Sequence, residues 1–217
     1  SLARLGTDYI DVLILHTPDE DTPISETLDA LNILIDQGKV RYAGCSNLSG
    51  WQIADATWEA DGGGLRGFVT AQNEWSLLER SVEAEVVPAC EHFGIGLLPY
   101  FPLASGALTG KYKLGEDFGK DSRYGGGEGR EMFTQMYGHF VSDENLATVA
   151  LLEKVASDAG MTLVELALSW LGSQPVVSSV IAGATRPEQV EANAKLTRGD
   201  LGDDIFEAVE KAFSSQD

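Results

Sequence analysis

The chain carries short apolar runs, each ending in polar residues that a core strand would not bury. The runs are Tyr9 to Leu15, Val40 to Cys45, Phe68 to Ala71, Ile95 to Pro99 and Val176 to Ala182. The first four end about 26 to 30 residues apart, which is the length of one strand-plus-helix unit. Strands joined by helices pair in parallel, so the pattern predicts a parallel sheet with polar residues at its carboxyl ends.

The composition of these runs favours buried strands with helices between them. Residues 11–15 are apolar after the first position rather than alternating, so we expect a fully buried parallel strand there. The following segment has Leu28, Leu31, Leu34 and Ile35 at helical spacing. The fold class predicted is α/β: a partial (β/α)8 TIM barrel of about five parallel strands with helices on the outside. Since a closed barrel of this kind has eight strands, we expect the first three βα units to be missing.

The chain length of 217 residues suits one domain, so we predict a single domain over residues 1–217. The strand–helix pattern lapses between Pro102 and Asp143, where glycines accumulate. A long segment of this kind is usually functional or disordered, and we expect residues 113–143 to form a flexible loop.

Charge and cysteine content narrow the function classes. The net charge of −19, from 34 acidic and 15 basic residues, argues against nucleic acid as a partner. An anionic ligand would need its own local cluster of basic groups or helix N-termini. No apolar stretch reaches the ~20 residues of a membrane helix, so no membrane partner is expected. Cys45 and Cys90 lie in apolar settings and indicate buried thiols in a reducing cytoplasm.

Five motifs in order resemble the aldo-keto reductase family, in the bacterial branches that are also similar to potassium-channel β-subunits. They are Leu5 to His16, Gly38 to Asn47, Gln72 to Leu78, Pro102 to Tyr112 and Gly183 to Asn193. The resemblance implies an oxidoreductase that reduces aldehydes and ketones to alcohols by hydride transfer from NADPH. It also implies a small-molecule carbonyl substrate, whose identity the sequence does not reveal.

Within this resemblance, His16 matches the residue that orients the substrate carbonyl. Ser46, Asn47 and Gln72 match residues that bind the nicotinamide carboxamide, for which hydroxyl and amide groups are suitable partners. The alternatives are a buried histidine satisfied by backbone and ordinary capping of strand ends. Trp75 lies where the family has an aromatic that stacks on the nicotinamide, and the alternative is a core or surface tryptophan.

The remaining matches concern the phosphates and the adenosine. The pyrophosphate loop is matched by Tyr100, Phe101, Pro102, Leu103, Ala104, Ser105 and Gly106. Lys111 and Arg123 match basic residues that reach the adenosine phosphates, with a solvated loop as the alternative. Gly183, Thr185, Gln189 and Asn193 match the adenosine end. Pro187 at the first helical position would leave the preceding N–H groups free for phosphate. The preference for NADPH over NADH comes from the resemblance, because Arg186 matches no consistent family position.

The family's proton donor is a Tyr assisted by a Lys and an Asp, all within the βα units that we expect to be missing. A Tyr has a pKa near ~10, so it needs a close cation to work near neutrality. No lysine of this chain stands at the carboxyl end of a predicted strand. We therefore expect the cofactor-side part of a reductase that is inactive alone. The alternatives are a non-catalytic nucleotide- or partner-binding protein of the same ancestry, or a phosphate-binding barrel of another family. Unpaired outer strands further predict self-association.

Overall fold

The computed structural model describes residues 1–119, 122–125, 131–196 and 201–214. Contacts divide the chain into two compact units. The sheet unit comprises Ser1–Glu74, Arg80–Tyr100 and Pro175–Ser179, and the helical unit comprises Trp75–Glu79, Phe101–Gln174 and Val180–Asp217. The single domain stays a prediction, and each unit is described by itself.

The sheet unit is a four-stranded parallel sheet in the order β1-β2-β3-β4. Its strands are β1 (Ile10–Leu15), β2 (Val40–Ser46), β3 (Phe68–Gln72) and β4 (Gly96–Leu97). Its helices are α1 (Leu2–Leu5), α2 (Ile24–Asp36), α3 (Gly50–Gly63) and α4 (Val86–Phe93), with a short 3₁₀ turn at Ser81–Ala84. This is the predicted α/β fold, consistent with part of a (β/α)8 barrel, because a helix connects each strand to its parallel neighbour.

The predicted fifth strand is wrong for most of its length. Only Val177 bridges to Leu97, through Leu97 N to Val176 O at 2.8 Å and Ser178 N to Leu97 O at 2.9 Å. The next donor in this parallel ladder would be the N–H of Pro99, and proline has none. The pairing therefore ends after one bridge.

Strand β1 is less buried than predicted. Within the described residues it pairs only with β2, and its side chains are half-buried or exposed throughout. A strand with one neighbour keeps one backbone edge and its flanking side chains accessible. The apolar composition of residues 11–15 correctly indicated a strand but not its degree of burial.

Buried polar contacts fix the connections of this unit. Asn32, on α2, donates from Nδ2 to Leu28 O and Arg66 O and accepts from Arg66 N, at 2.9 to 3.0 Å. These bonds hold the loop before β3 against α2. At the start of α3, the Ser49 N–H donates to Gln52 Oε1 at 2.9 Å, as in a capping box.

The helical unit contains the remaining helices: α5 (Glu131–Tyr137), α6 (Asp143–Asp158), α7 (Leu163–Gly172), α8 (Pro187–Leu196) and α9 (Asp203–Ser214). A 3₁₀ segment at Ala104–Thr109 precedes α5, and another at Gly138–Val141 joins α5 to α6. Its buried side chains lie mainly on α6 and α7, where Leu152, Leu166 and Leu171 are fully buried. No helix among the described residues is long and apolar enough to cross a membrane.

The segment predicted as a flexible loop contains α5 and four of the six rings of an aromatic cluster. Consecutive ring centroids are 5.0 to 5.4 Å apart along the series Phe101, Tyr137, Phe133, Tyr124, Tyr112 and Phe118. The glycine content hid this cluster, since the rings are spaced irregularly in sequence. The flexibility itself stays a prediction, and part of this loop, with Lys120, lies outside the described residues.

Candidate cofactor site

The carboxyl ends of three adjacent strands place three predicted residues side by side. Ser46 pairs in register with Gln72, and His16 directly follows Leu15, which pairs with Cys45. Since side chains alternate between the faces of a sheet, His16, Ser46 and Gln72 share one face, opposite Leu15 and Cys45. The expectation that these three residues gather at one rim is confirmed.

Hydrogen bonds join the ends of β2 and β3. The Ser46 hydroxyl donates to the Gln72 backbone oxygen at 2.8 Å, and the Asn47 N–H donates to the same oxygen at 3.0 Å. Ser46 is buried, and its oxygen keeps acceptor capacity after this donation. The Gln72 side-chain amide is half-buried and makes no hydrogen bond with the described part of the chain. The pair therefore offers one acceptor and one complete amide, which suits a carboxamide ligand.

Asn47 connects three points of the rim. Its Nδ2 donates to His16 O at 2.9 Å, and its Oδ1 accepts from the Tyr100 hydroxyl at 2.9 Å. The residue has φ of 61°, in the left-handed region that asparagine tolerates better than most residues. Asn47 thus holds the end of β1 and Tyr100, three residues beyond β4, through its own side chain.

Backbone strain coincides with the predicted residues. Four non-glycine residues in the described chain have positive φ: Asn47, Phe101, Ala104 and Ser105, at 46° to 61°. All four were predicted from the sequence to bind the cofactor. Such conformations cost about 1–3 kcal/mol each and concentrate at functional sites. The coincidence therefore supports a function for this backbone beyond packing.

From Phe101 onward, the predicted pyrophosphate loop belongs to the helical unit and folds onto itself. Ala104 N donates to Phe101 O and Gly106 N to Leu103 O, both at 2.8 Å, while Ala104 is fully buried. Gly106 has φ of 102°, and a Cβ built on it would lie 3.6 Å from Lys111 Nζ. Lys111 thus brings a positive charge beside a strained turn.

Aromatic side chains and buried hydroxyls support this loop. The Phe101 ring meets Tyr137 of α5 edge to face at 5.2 Å. Burial raises the pKa of Tyr124, and the neighbouring Ser105 hydroxyl opposes that shift. Tyr124 therefore stays protonated near neutrality and keeps a neutral donor beside the loop. Arg123 is exposed, as in the solvated-loop alternative.

The adenosine-end residues are close together, but one expectation about them is wrong. The Gln189 Oε1 accepts from Thr185 N at 2.8 Å and from Arg186 N at 3.1 Å, and Asn193 Nδ2 donates to Gly183 O at 3.5 Å. The N–H groups before Pro187 are therefore occupied rather than free for phosphate. A glutamine at the third helical position reached back to cap the helix. Gln189 Nε2 and Asn193 Oδ1 keep their donor and acceptor capacity.

Trp75 was predicted to stack on the nicotinamide ring, and its surroundings do not fit that prediction. Its side chain is 1% exposed and packs edge to face against Trp170 at 5.6 Å between ring centroids. Such burial favours the core alternative over stacking on a nicotinamide ring.

Sequence reasoning missed Asn73, directly after Gln72. Its side chain is 7% exposed and donates from Nδ2 to Leu48 O at 3.1 Å, while its backbone oxygen accepts from Tyr100 N at 3.1 Å. Asn73 therefore links the segments that follow β2, β3 and β4. Its position at a strand end, next to a polar residue, was the signal available.

Comparison with known proteins identifies the family. The sequence profile of the Aldo/keto reductase family matches residues 1–213. The chain belongs to this family, as the motifs predicted.

Several relatives share substantial identity with the chain. It is 43% identical over 196 residues to the probable voltage-gated potassium channel subunit beta of Arabidopsis thaliana, which covers 90% of this chain and 58% of that protein. It is 32% identical to aflatoxin B1 aldehyde reductase member 2 of Mus musculus, over 99% of this chain and 61% of that protein. L-glyceraldehyde 3-phosphate reductase of Escherichia coli O157:H7 is 32% identical over 90% of this chain and 55% of its own length. The chain thus spans somewhat more than half the length of these relatives.

Proposed function

We propose that this chain binds NADPH and forms the cofactor side of a reductase that converts aldehydes and ketones to alcohols. The observation that carries the proposal is the common face of His16, Ser46 and Gln72 at three adjacent strand ends. The coincidence of positive φ with predicted cofactor residues supports it. The relatives named as an aflatoxin B1 aldehyde reductase and an L-glyceraldehyde 3-phosphate reductase point to the same reaction class.

The donor and acceptor inventory of the rim fits a nicotinamide. Gln72 would donate to the carboxamide oxygen, and the Ser46 oxygen would accept from its amino group. Asn47 already uses both ends of its amide on His16 and Tyr100, so it would chiefly position its neighbours. The loop from Tyr100 to Gly106 and Lys111 would hold the phosphates. Gln189 Nε2 and Asn193 Oδ1 would meet the adenine.

The cofactor, when bound, would supply the hydride. His16 is exposed at its strand end, and its backbone oxygen is fixed by Asn47. A ring N–H of His16 would donate to the substrate oxygen and hold the carbonyl in place for reduction.

Proton delivery is the step for which the described residues offer no arrangement. The lysines in the described part of the chain lie in loops, on helices or, for Lys39, before β2. None of them stands at a strand's carboxyl end, where it could lower the pKa of a tyrosine. We therefore propose that the 217-residue chain binds NADPH with little or no turnover on its own.

The test combines NADPH fluorescence titration with turnover of 4-nitrobenzaldehyde. Saturable binding of one NADPH per chain without turnover supports the proposal, and absence of binding contradicts it. Binding with rapid turnover would contradict only the assignment of proton delivery. Binding of other phosphates as tight as that of NADPH would favour a phosphate-binding barrel.

A non-catalytic role is the second candidate, favoured by the similarity to proteins named as probable channel β-subunits. In this candidate, nucleotide binding would regulate contact with a partner. This candidate predicts no reduction of 4-nitrobenzaldehyde even when a polypeptide that carries the Tyr–Lys pair of a reductase relative is added to the chain.

We also propose self-association through the free edge of β1. That edge pairs with no other strand in the described part of the chain, and it lies among half-buried apolar side chains. Light scattering after size exclusion should show oligomers, and Val12→Lys should shift them toward monomer while Val69→Lys on β3 should not. A monomer at high concentration would contradict this. Free Cys45 and Cys90 suit a cytoplasmic location, where thiols stay reduced.

A further inference from the structure

A cleft of about 400 Å³ lies beside the end of β1, apart from the face that carries His16 and Ser46. It is lined by Leu15, Ile24, Leu48, Trp51, Asp19, Glu20 and Asp55, among others. Leu15 precedes His16 by one residue, so its side chain points to the opposite face of the sheet. The cleft is therefore separate from the proposed nicotinamide site.

The cleft combines an apolar floor with an exposed aromatic ring. Leu15, Ile24 and Leu48 contribute the floor, and Leu48 is 2% exposed. The Trp51 side chain, on α3, is 65% exposed although it borders this floor. A volume of this size holds an organic molecule of moderate size.

The charged groups of the cleft are all acidic within the described lining. Asp55 lies four residues after Trp51 on α3, so its carboxylate and the indole share one helix face. Asp19 and Glu20 stand on the loop after β1, and neither Glu20 nor Asp55 makes a hydrogen bond or ion pair with another described residue. An indole face beside carboxylates attracts a cation and not an anion.

The walls of the cleft are held in place before any ligand enters. Asp19 accepts from Asp21 N at 3.1 Å and from the Thr22 hydroxyl at 2.9 Å, which fixes the loop after β1. On the other side, Gln52 is held by the capping contact with Ser49. Preformed walls lower the ordering cost of binding.

We propose that this cleft binds a small organic cation, such as a quaternary ammonium with an apolar body. The cationic group lies against the Trp51 indole next to Asp55 and Glu20, and the apolar body covers Leu15 and Leu48. The ligand is neither the cofactor nor the carbonyl substrate, so the site is a second one on the molecule.

The test uses benzyltrimethylammonium as the probe and ligand-observed NMR as the readout. The chain should bind it saturably, and neutral benzyl alcohol should bind at least about fivefold more weakly. Trp51→Ala should weaken binding about tenfold. Trp58→Ala is the matched control, because Trp58 is also on α3 and 65% exposed but lies outside the cleft lining. It should leave the Kd within about twofold.

A second pair of variants tests the electrostatic part. Asp55→Asn should weaken binding and reduce its dependence on salt, while Asp61→Asn, farther along α3, should change neither. Equal losses at Trp51 and Trp58, equal binding of benzyl alcohol, or no saturation by the probe would overturn the proposal. Each variant alters an exposed side chain, and an unchanged unfolding midpoint verifies its fold.

Discussion

The Tyr100 hydroxyl donates to Asn47 Oδ1 at 2.9 Å, so a residue three positions beyond β4 is tied to the residue directly after β2. The same amide donates onward to His16 O at 2.9 Å. A single side chain thus joins positions 16, 47 and 100, which are far apart in the sequence. The Asn47 side chain therefore helps the sheet to fix the relative positions of these residues.

Tyr100→Phe removes this hydrogen bond and keeps the ring. We expect a loss of about 1 kcal/mol in the free energy of unfolding and about fivefold weaker NADPH binding. Tyr42→Phe is the control, since Tyr42 is exposed on β2 and its hydroxyl makes no hydrogen bond within the described chain. Urea unfolding and fluorescence titration measure the two effects. Unchanged cofactor affinity in Tyr100→Phe would show that the tie does not shape the site.

Tyr137 packs against Phe101 of the proposed pyrophosphate loop, at 5.2 Å between ring centroids. Tyr137→Ala should weaken NADPH binding about tenfold, because Phe101 keeps its strained φ only while its ring is packed. Tyr137→Phe keeps the ring and should behave as the parent chain. Met136→Ala, at an exposed position of the same helix, is the matched control. If Tyr137→Ala and Met136→Ala bind equally well, the ring contact is irrelevant to the loop.

Gly50 allows α3 to approach the segment before α4. A Cβ at this position would lie 2.5 Å from Glu85 O and 2.8 Å from Glu85 C, both backbone atoms. Gly50→Ala should therefore cost about 2 kcal/mol of stability. Gly62, on the same helix, has no atom within 4 Å of a built Cβ, so Gly62→Ala should stabilise by about 0.5 kcal/mol. Denaturant midpoints of the two variants should move in opposite directions.

The thiols of Cys45 and Cys90 should be protonated and unreactive near neutral pH. Burial raises the pKa of Cys45 to about 12 and that of Cys90 to about 11, from an ordinary value of 9.0. A disulfide reagent should react slowly with the native chain and rapidly with both thiols after denaturation. Rapid native reaction would contradict the burial of either residue.

The same shifts predict how stability depends on pH. Because folding raises both thiol pKa values, their contribution to stability is complete below about pH 9. It is lost as the pH rises from 9 toward 11 and 12. Replacing both cysteines with alanine should flatten this part of the stability profile. An unchanged slope in that range would assign the effect to other groups.

Most of the sheet could be predicted from the sequence because its strands are apolar, evenly spaced and bounded by polar residues. The polar residues at positions 16, 46 and 72 follow from the same pattern, since parallel strands end at one rim. The predicted strand from Val176 to Ala182 was wrong because strand pairing depends on the partner. Pro99 has no backbone N–H, so it cannot donate the hydrogen bond that would extend the pairing.

Other features depended on contacts that the sequence pattern does not encode. Gln189 looks like a free amide in the sequence, but its oxygen caps the helix that carries it. Trp75 looks like a stacking aromatic, but its side chain is 1% exposed and forms an edge-to-face pair with Trp170. The rings from Phe101 to Phe118 come together only after the glycine-rich segment folds. In each case, the tertiary structure decides which group the side chain contacts.

The most direct test of the central claim is the NADPH dissociation constant of Gln72→Ala compared with that of Gln37→Ala. Gln72 stands at the proposed nicotinamide rim, whereas Gln37 lies at the far end of α2, next to the strand starts. The account predicts saturable binding by the parent chain, about tenfold weaker binding by Gln72→Ala and no change for Gln37→Ala. Equal affinity of Gln72→Ala and the parent chain would contradict it.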